Sequence, residues 1–224
     1  MAKVRLNKYI ASAGICSRRK ADEMIEQGLV NVNGKRVSEL GYLVSEKDKV
    51  FIEGKLIHPL KHEYYRFYKP AGYITTADDE KGRKTIYDIL PKELHHLKPV
   101  GRLDKDSKGL ILFTNDGVFS RKIIGEESEC EKEYYVKLEG NISDGALKKL
   151  EFGISLDGKK LKPAIVKRVS KNSFNIILKE GRNRQIRRMC EKVGFEVILL
   201  KRLRISNIYL NDSSSFKIYV ILQT

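Results

Sequence analysis

The stretch Pro99-Val-Gly-Arg-Leu-Asp-Lys-Asp-Ser-Lys-Gly-Leu-Ile-Leu-Phe-Thr-Asn-Asp-Gly117 joins a polar loop to an apolar run. The run Leu110-Ile-Leu-Phe113 predicts a short buried strand, which the Asn-Asp-Gly turn ends. The loop presents Arg102 and Asp104 on either side of a leucine. A lone carboxylate beside a guanidinium, on a loop anchored by a buried strand, suits a catalytic carboxylate on a rigid support. An ordinary surface turn is the alternative, and the spacing alone favours it, because Asp and Gly are common turn residues.

The charge of the chain favours a polyanionic partner. Its 224 residues carry a net charge of +15 with a pI near 9.6, and Lys and Arg contacts with phosphates dominate nucleic-acid affinity. Residues 1–60 hold 11 Lys and Arg against 7 Asp and Glu, so both parts of the chain are basic and a single polyanion-binding surface across them is expected. An anionic membrane would also attract such a chain. No apolar run approaches about eighteen residues and no signal peptide is visible, which argues against membrane insertion and secretion.

The cysteines and histidines predict neither disulfides nor a metal site. Cys16, Cys130 and Cys190 are odd in number and far apart in sequence, which fits reduced thiols in the cytosol. The four histidines lack spaced cysteines or acidic partners, so solvated surface positions are the better interpretation. We therefore predict a cytoplasmic protein that holds no metal.

The first part of the chain is predicted to fold as a unit of its own. Apolar residues recur at helical spacing over residues 6–13, and Ser17 fits the N-cap of a second helix that ends at Gly28. Residues 29–37 then read as a hairpin around an Asn-Gly turn. Basic residues gather near the helix starts: Arg5, Lys8, Arg18, Arg19 and Lys20. A solvated helix face is the alternative for them, but their position at one helix–helix corner favours RNA binding.

The remainder of the chain predicts an α+β fold. Strands are expected at 64–68, 134–138, 165–169 and 174–178, and helices at 118–124 and 184–193. They intermingle without regular βαβ repetition, which argues against a doubly wound sheet. Residues 54–63 contain a proline and mixed charges and are predicted to be a linker. The predicted domains are therefore residues 1–53 and 64–224.

Three stretches in order resemble the RNA pseudouridine synthases of the RsuA/RluB/RluE/RluF type, most of all the RluF branch. They are Gly101–Leu110, Lys132–Val136 and Glu180–Met189. The first fifty residues resemble the S4 RNA-binding module. The resemblance implies a mixed, mainly antiparallel catalytic sheet, preceded by a small S4-type domain of two helices and a hairpin. It fades after about Leu210, because residues 211–219 lack the family's glycine-containing turn and arginine. The resemblance therefore does not imply the last strand or a C-terminal helix.

The resemblance also implies the chemistry. In this family the N-glycosidic bond of a uridine breaks, the uracil turns, and a carbon–carbon bond forms at C5, with one carboxylate and no cofactor. Asp104 matches the catalytic aspartate, and Tyr134 matches a tyrosine that would stack on the base and assist proton transfer. Arg187 matches the motif arginine, expected to pair with Asp104. A phosphate contact on a basic helix is the alternative for Arg187.

Other arginines are implied to contact RNA. Arg102 would fill the gap left by the flipped uridine, and Arg182, Arg184 and Arg188 would contact phosphates. The implied substrate is a uridine of 23S ribosomal RNA, with a tRNA anticodon uridine as a further target. A uridine of 16S ribosomal RNA or another 23S position is the alternative.

A different class of function is a non-catalytic S4-type RNA-binding factor in ribosome assembly. Charge and domain content fit both classes equally. The three motif residues Asp104, Tyr134 and Arg187 are all present, and a protein that only binds RNA has no need of all three. We therefore predict an enzyme, acting as a monomer on RNA and not on membranes.

Overall fold

The computed structural model describes residues 3–77, 79–125 and 127–210, and the backbone of residues 218–223. The chain divides into two compact units, residues 1–62 and residues 63–223. No helix in the described ranges is both long enough and apolar enough to cross a lipid bilayer.

The first unit consists of two helices and short strands. Its elements are β1 (Val4–Arg5), α1 (Leu6–Ser12), α2 (Arg18–Glu26), β2 (Val30–Val32), β3 (Lys35–Val37), β4 (Leu43–Val44), β5 (Val50–Ile52) and β6 (Lys55–Ile57). The strands pair in the order β3-β2-β5-β6, with β1 paired to β4. The side chain of Ser17 caps α2 by accepting the N–H of Lys20, as predicted. The core of this unit forms where Leu6 and Ile10 of α1 pack with Ile25 of α2 and the valines of the strands.

The predicted linker 54–63 is wrong for residues 55–57, which form β6. This strand pairs with β5, and the side chain of Ile57 is buried in the core of the first unit. Glu53 and Gly54 both have positive φ angles, 49° and 78°, which is the geometry of a two-residue hairpin turn. The Glu-Gly pair therefore reverses the chain within the first unit.

The second unit is built on one large mixed sheet with helices on it. Its elements are β7 (Glu63–Lys69), β8 (Lys98–Val100), β9 (Lys108–Thr114), α3 (Gly117–Ile124), β10 (Lys132–Leu138), α4 (Asp144–Phe152), β11 (Ser155–Leu156), β12 (Lys159–Lys160), β13 (Ile165–Ser170), β14 (Ser173–Leu178), α5 (Gln185–Lys192), β15 (Val197–Ile205), β16 (Ile208–Tyr209) and β17 (Ile218–Gln223). Two 3-10 helices, Ile86–Asp88 and Lys92–Leu94, precede β8.

The sheet runs β13-β14-β10-β15-β9-β7-β17, with β16 beside β15 and β8 beside β9. Among the strand pairs described, β9 with β15 is parallel and the others are antiparallel. This confirms the predicted α+β class with a mixed, mainly antiparallel sheet. The backbone of β17 pairs with β7, whereas residues 211–217 lie outside the described residues.

The strand β9 lies near the middle of this sheet and is buried from Gly109 to Thr114, as its apolar run predicted. Gly109 has a φ of 113°, and a Cβ there would overlap the main chain of Arg202 on β15. Only glycine permits this close approach of two strands at that φ. The loop of residues 101–107, which joins β8 to β9, is thereby fixed to the centre of the sheet.

The largest core of the second unit covers one face of the sheet. Side chains of β10, β14 and β15 pack there with Leu147 and Leu150 of α4 and with Ile186 and Met189 of α5. Because α5 is fixed to the sheet through these contacts, the residues that precede it are held beside the 101–107 loop.

Candidate active site

Asp104 lies on the loop between β8 and β9, and the main chain on either side of it is held in place. The hydroxyl of Thr75 donates to the carbonyl of Leu103 at 2.9 Å and accepts the Leu103 N–H at 3.2 Å. The N–H of Ser107 donates to the carbonyl of Asp104 at 3.1 Å. A carboxylate that must meet a ligand in one geometry needs this kind of support.

Lys69, at the end of β7, holds the same loop from within the protein. Its side chain is 0% exposed, and Nζ donates to the carbonyls of Asp104 at 3.0 Å, Lys105 at 3.4 Å and Ser107 at 2.8 Å. Burial lowers the pKa of Lys69 to about 8, although the charges of Asp104 and Asp106 act in the opposite direction. The partners of the amine are carbonyl acceptors, which favour its protonated form, and these hydrogen bonds fix the loop.

A cavity of about 110 Å³ opens beside Asp104 and is lined by Tyr134 as well as by Arg102 and Ser107. A wider cleft of about 560 Å³ shares Arg102, Asp104 and Arg184 with it. The register of β10 against β15 shifts just before Tyr134, and such irregularities re-aim side chains beside active sites. Asp104 thus lies where an open cleft narrows to a small cavity, an arrangement suited to a single planar group of a larger ligand.

Ser107 lines this cavity with a hydroxyl that is buried and unpaired among the described residues. The residue is 1% exposed, and its Oγ has no hydrogen-bond partner among the described residues. A buried hydroxyl without a partner costs about 1–3 kcal/mol. A polar atom of a bound group would remove that cost.

Arg184 supplies positive charge next to Asp104. Its Nη1 lies 3.8 Å from Oδ2 of Asp104, with the two side chains 45% and 31% exposed. Arg184 directly precedes α5 and has φ 46° and ψ 33°, a left-handed conformation that is uncommon for non-glycine residues. The buried Gln185 holds this turn, because its Oε1 accepts the N–H of Arg182 at 2.9 Å and its Nε2 donates to Glu180 at 3.1 Å.

The predicted ion pair between Arg187 and Asp104 is wrong for the described residues. Nη1 of Arg187 donates to the carbonyl of Val197 at 2.8 Å, and Nη2 donates to the carbonyl of Asp106 at 3.4 Å. Arg187 lies within α5 and contacts the start of β15, whereas Arg184 lies in the left-handed turn before the helix and approaches Asp104. The catalytic role of Arg187 stays a prediction, and its observed contacts support the loop that carries Asp104.

The other arginines of the second unit differ in their surroundings. Arg102 is exposed and lines both the cavity and the cleft. Arg182 has Nε 3.4 Å from a carboxylate oxygen of Glu180, and Arg188 bonds to Asp157. Contacts of these arginines with phosphates stay predictions, and for two of them an intramolecular carboxylate would compete.

The predicted RNA-binding residues of the first unit are exposed on α1, α2 and the adjoining β1. They are Arg5, Lys8, Arg18, Arg19 and Lys20. Nη2 of Arg18 donates to the side chain of Asn7 at 3.4 Å, which shows that the two helices present these charges close together. Lys20 pairs with Glu23 in an exposed contact. Their contact with RNA stays a prediction.

Lys69, Thr75 and Gln185 shape the site, although no motif assigned them a role. For Lys69 a signal exists, because it continues the alternation of the buried Tyr65 and Phe67 along β7. A charged residue on the buried face of a strand implies internal partners. Thr75 lies in an irregular loop 28 residues before Leu103, and nothing in its neighbourhood indicates that contact.

Tyr135, the neighbour of Tyr134 on β10, has different surroundings. It lies on the opposite face of β10 from Tyr134, as period-two alternation requires, but it is only partly buried. Tyr134 is the tyrosine that packs against the main core, which anchors its ring beside the cavity.

Comparison with known sequences identifies the family. Residues 63–192 match the family described as RNA pseudouridylate synthase, and residues 4–50 match the S4 domain. The chain therefore belongs to the RNA pseudouridine synthases, enzymes that isomerise uridine in RNA, and it carries an S4 domain before the catalytic unit.

Particular relatives cover most of the chain. The ribosomal large subunit pseudouridine synthase B of Bacillus subtilis is 45% identical over 204 residues, which span 88% of this chain and 84% of the relative. The dual-specificity RNA pseudouridine synthase RluF of Escherichia coli K12 is 43% identical over 214 residues, which span 93% and 72%. A crystal structure of a pseudouridylate synthase matches with a TM-score of 0.71 and 30% identity, over 98% of this chain and 96% of that one.

Proposed function

We propose that this protein converts a specific uridine of structured RNA to pseudouridine, with Asp104 as the nucleophile. The observation that carries the proposal is the position of Asp104. It sits on a loop clamped by Lys69 and Thr75, where a broad cleft meets a small cavity that also contains Tyr134.

In the proposed reaction the target uridine leaves its stack and its base enters the small cavity. Flipping costs a few kcal/mol, and least in a loop or bulge, so structured RNA with unpaired uridines is the preferred substrate. Arg102, exposed at the rim of the cavity, would occupy the space that the base leaves.

The chemistry rearranges one nucleotide and changes no oxidation state. The bond between N1 and C1′ breaks, the base turns, and C5 bonds to C1′; C5 loses one proton and N1 gains one. The carboxylate of Asp104 acts as the nucleophile in this rearrangement. The ring of Tyr134 stacks on the base and its hydroxyl assists the proton transfer, while Arg184 balances the charge of Asp104.

Ribosomal RNA of the large subunit is the proposed substrate, and a tRNA anticodon uridine is a second one. The support comes from two relatives, since one is named for the large ribosomal subunit and the other for dual specificity. A basic S4 domain fits either RNA. Because these RNAs function with the ribosome, we place the activity in the cytoplasm.

The experiment that tests the proposed function maps pseudouridines in unmodified transcripts of 23S and 16S ribosomal RNA and of tRNA after incubation with the purified protein. We expect new pseudouridine at one 23S position and at a tRNA anticodon uridine. Modification confined to 16S ribosomal RNA would contradict the proposed substrate assignment. Tight binding without any pseudouridine would instead indicate an RNA-binding factor.

We expect Arg184→Met to lower single-turnover rates at saturating RNA by about tenfold or more, because its guanidinium is the one beside the nucleophile. Its effect on the free energy of unfolding should stay below about 1 kcal/mol, since the pair with Asp104 is partly exposed. Rates are measured by release of the C5 proton as tritium, and stability by urea unfolding.

Arg187→Met is the matched comparison. Its two carbonyl bonds link α5 to β15 and to the Asp104 loop, so we expect a clear loss of stability as well as of rate. If Arg187→Met instead abolishes turnover at unchanged stability, while Arg184→Met weakens only RNA binding, Arg187 is the partner of Asp104 in the RNA complex and our assignment fails.

A further inference from the structure

An exposed aromatic side chain lies among lysines at the far end of α5. Phe152, the last residue of α4, is 69% exposed, the largest value for the large hydrophobic side chains that the structure describes. It lines a depression of about 420 Å³ together with Lys148, Lys149 and Lys192. We name this set of four residues the Phe152 patch.

The depression has no acidic lining residue. A negative charge that acts on the patch is Asp157, whose pKa is lowered chiefly by Arg188 and to a smaller extent by Lys192. Lysines in the last turn of a helix also complement its dipole, which applies to Lys149 on α4 and Lys192 on α5. That effect does not account for a phenylalanine left in water beside them. An aromatic face surrounded by cations is the combination that binds unpaired nucleotides, through base stacking and phosphate contacts.

The helix α5 connects the patch to the active site. Arg184 precedes its first residue, and Lys192 is the last of its eight residues, which is a rise of about 12 Å. Residues four apart share one side of a helix, so Arg188 and Lys192 lie on the same side of α5, and Arg184 lies just before the helix at the Asp104 cleft. Of these cations, Arg188 bonds to Asp157. A distance of about 12 Å corresponds to a few nucleotide steps.

We propose that the Phe152 patch binds an unpaired RNA segment that flanks the target uridine, with one base stacked on Phe152 and its phosphates contacted by the three lysines. The proposal rests on the proposed function in taking RNA as the ligand. It adds a second point of attachment a few nucleotides from the reacting base. Such a contact would select substrates by the single-stranded RNA next to the target loop.

The test measures the dissociation constants of the full chain for two RNA probes by fluorescence anisotropy. One is a hairpin with uridines in its loop, and the other is the same hairpin with short unpaired adenosine tails. Phe152→Ala should weaken binding of the tailed hairpin about tenfold, as expected for the loss of one stacked base, and leave binding of the tailless hairpin unchanged. Phe152→Tyr should restore it. Ile165→Ala, which removes another exposed apolar side chain, on β13, should change neither constant.

The salt dependence of RNA affinity tests the lysine–phosphate contacts independently of the stacking. Replacing Lys148, Lys149 and Lys192 together by glutamine should reduce the slope of log affinity against log salt by about 2 for the tailed probe. Equal constants for Phe152→Ala and the unchanged protein would overturn the proposal, as would equal losses for both probes. A patch that affects binding to ribosomal particles but not to naked RNA would be a protein contact and would also overturn it. Because the assay reads binding only, it remains informative if no pseudouridine is formed.

Discussion

The Asp104→Asn protein is expected to form no measurable pseudouridine, a loss of about 10⁴-fold or more, while its RNA affinity stays within a few-fold. Asparagine has the same shape as aspartate, but its amide is not a nucleophile. The loop itself should persist, because Lys69 and Thr75 bind main-chain atoms of the loop and not the carboxylate. Single-turnover rates at saturating RNA, with pseudouridine detected by mass spectrometry, measure the effect.

Asp106→Asn is the matched control for this experiment. It changes the same kind of side chain two residues further along the same loop, and the Arg187 contact of Asp106 is to its carbonyl. We expect turnover within a few-fold of the unchanged protein. Substantial turnover by the Asp104→Asn protein, or equal losses for both variants, would refute Asp104 as the nucleophile.

Gly109→Ala is expected to lower the free energy of unfolding by about 3–5 kcal/mol, because a strained φ adds to overpacking between two strands. Gly109 pairs with Arg202 where β9 runs parallel to β15. A Cβ would force these strands apart and disturb the 2.6 Å hydrogen bond from Nε of Arg202 to the carbonyl of Leu110. Since the Asp104 loop ends beside this contact, activity should fall along with stability. Urea unfolding followed by circular dichroism measures the loss.

Gly117→Ala is the internal comparison for Gly109→Ala. Gly117 begins α3, and a Cβ there would meet no other atom within 4 Å. Alanine in a helix restricts the unfolded chain, so a gain of about 0.4–1 kcal/mol is expected. If both variants lose similar amounts of unfolding free energy, the close approach of β9 and β15 is not the reason that position 109 requires glycine.

Local patterns were sufficient for much of the fold. Four consecutive apolar residues identified β9, because a strand covered on both faces has no polar side. The Asn-Gly pair identified the β2–β3 hairpin, because both residues adopt the positive φ angles of that turn. Glu53-Gly54 forms the same kind of turn between β5 and β6. The linker prediction missed this hairpin because a glutamate in a positive φ conformation is uncommon.

The sequence by itself indicated which residues are candidates for the chemistry and on which elements they lie. Asp104 lies in a polar loop before an apolar strand, and Tyr134 lies on a strand with alternating faces. Both placements follow from the residues next to them in the sequence. Only the tertiary structure decided their partners. Arg184 rather than Arg187 approaches Asp104 because the chain makes a left-handed turn before α5, and the support from Lys69 and Thr75 depends on how distant strands pair. Such contacts join residues far apart along the chain, so they follow from the path of the backbone and not from local spacing.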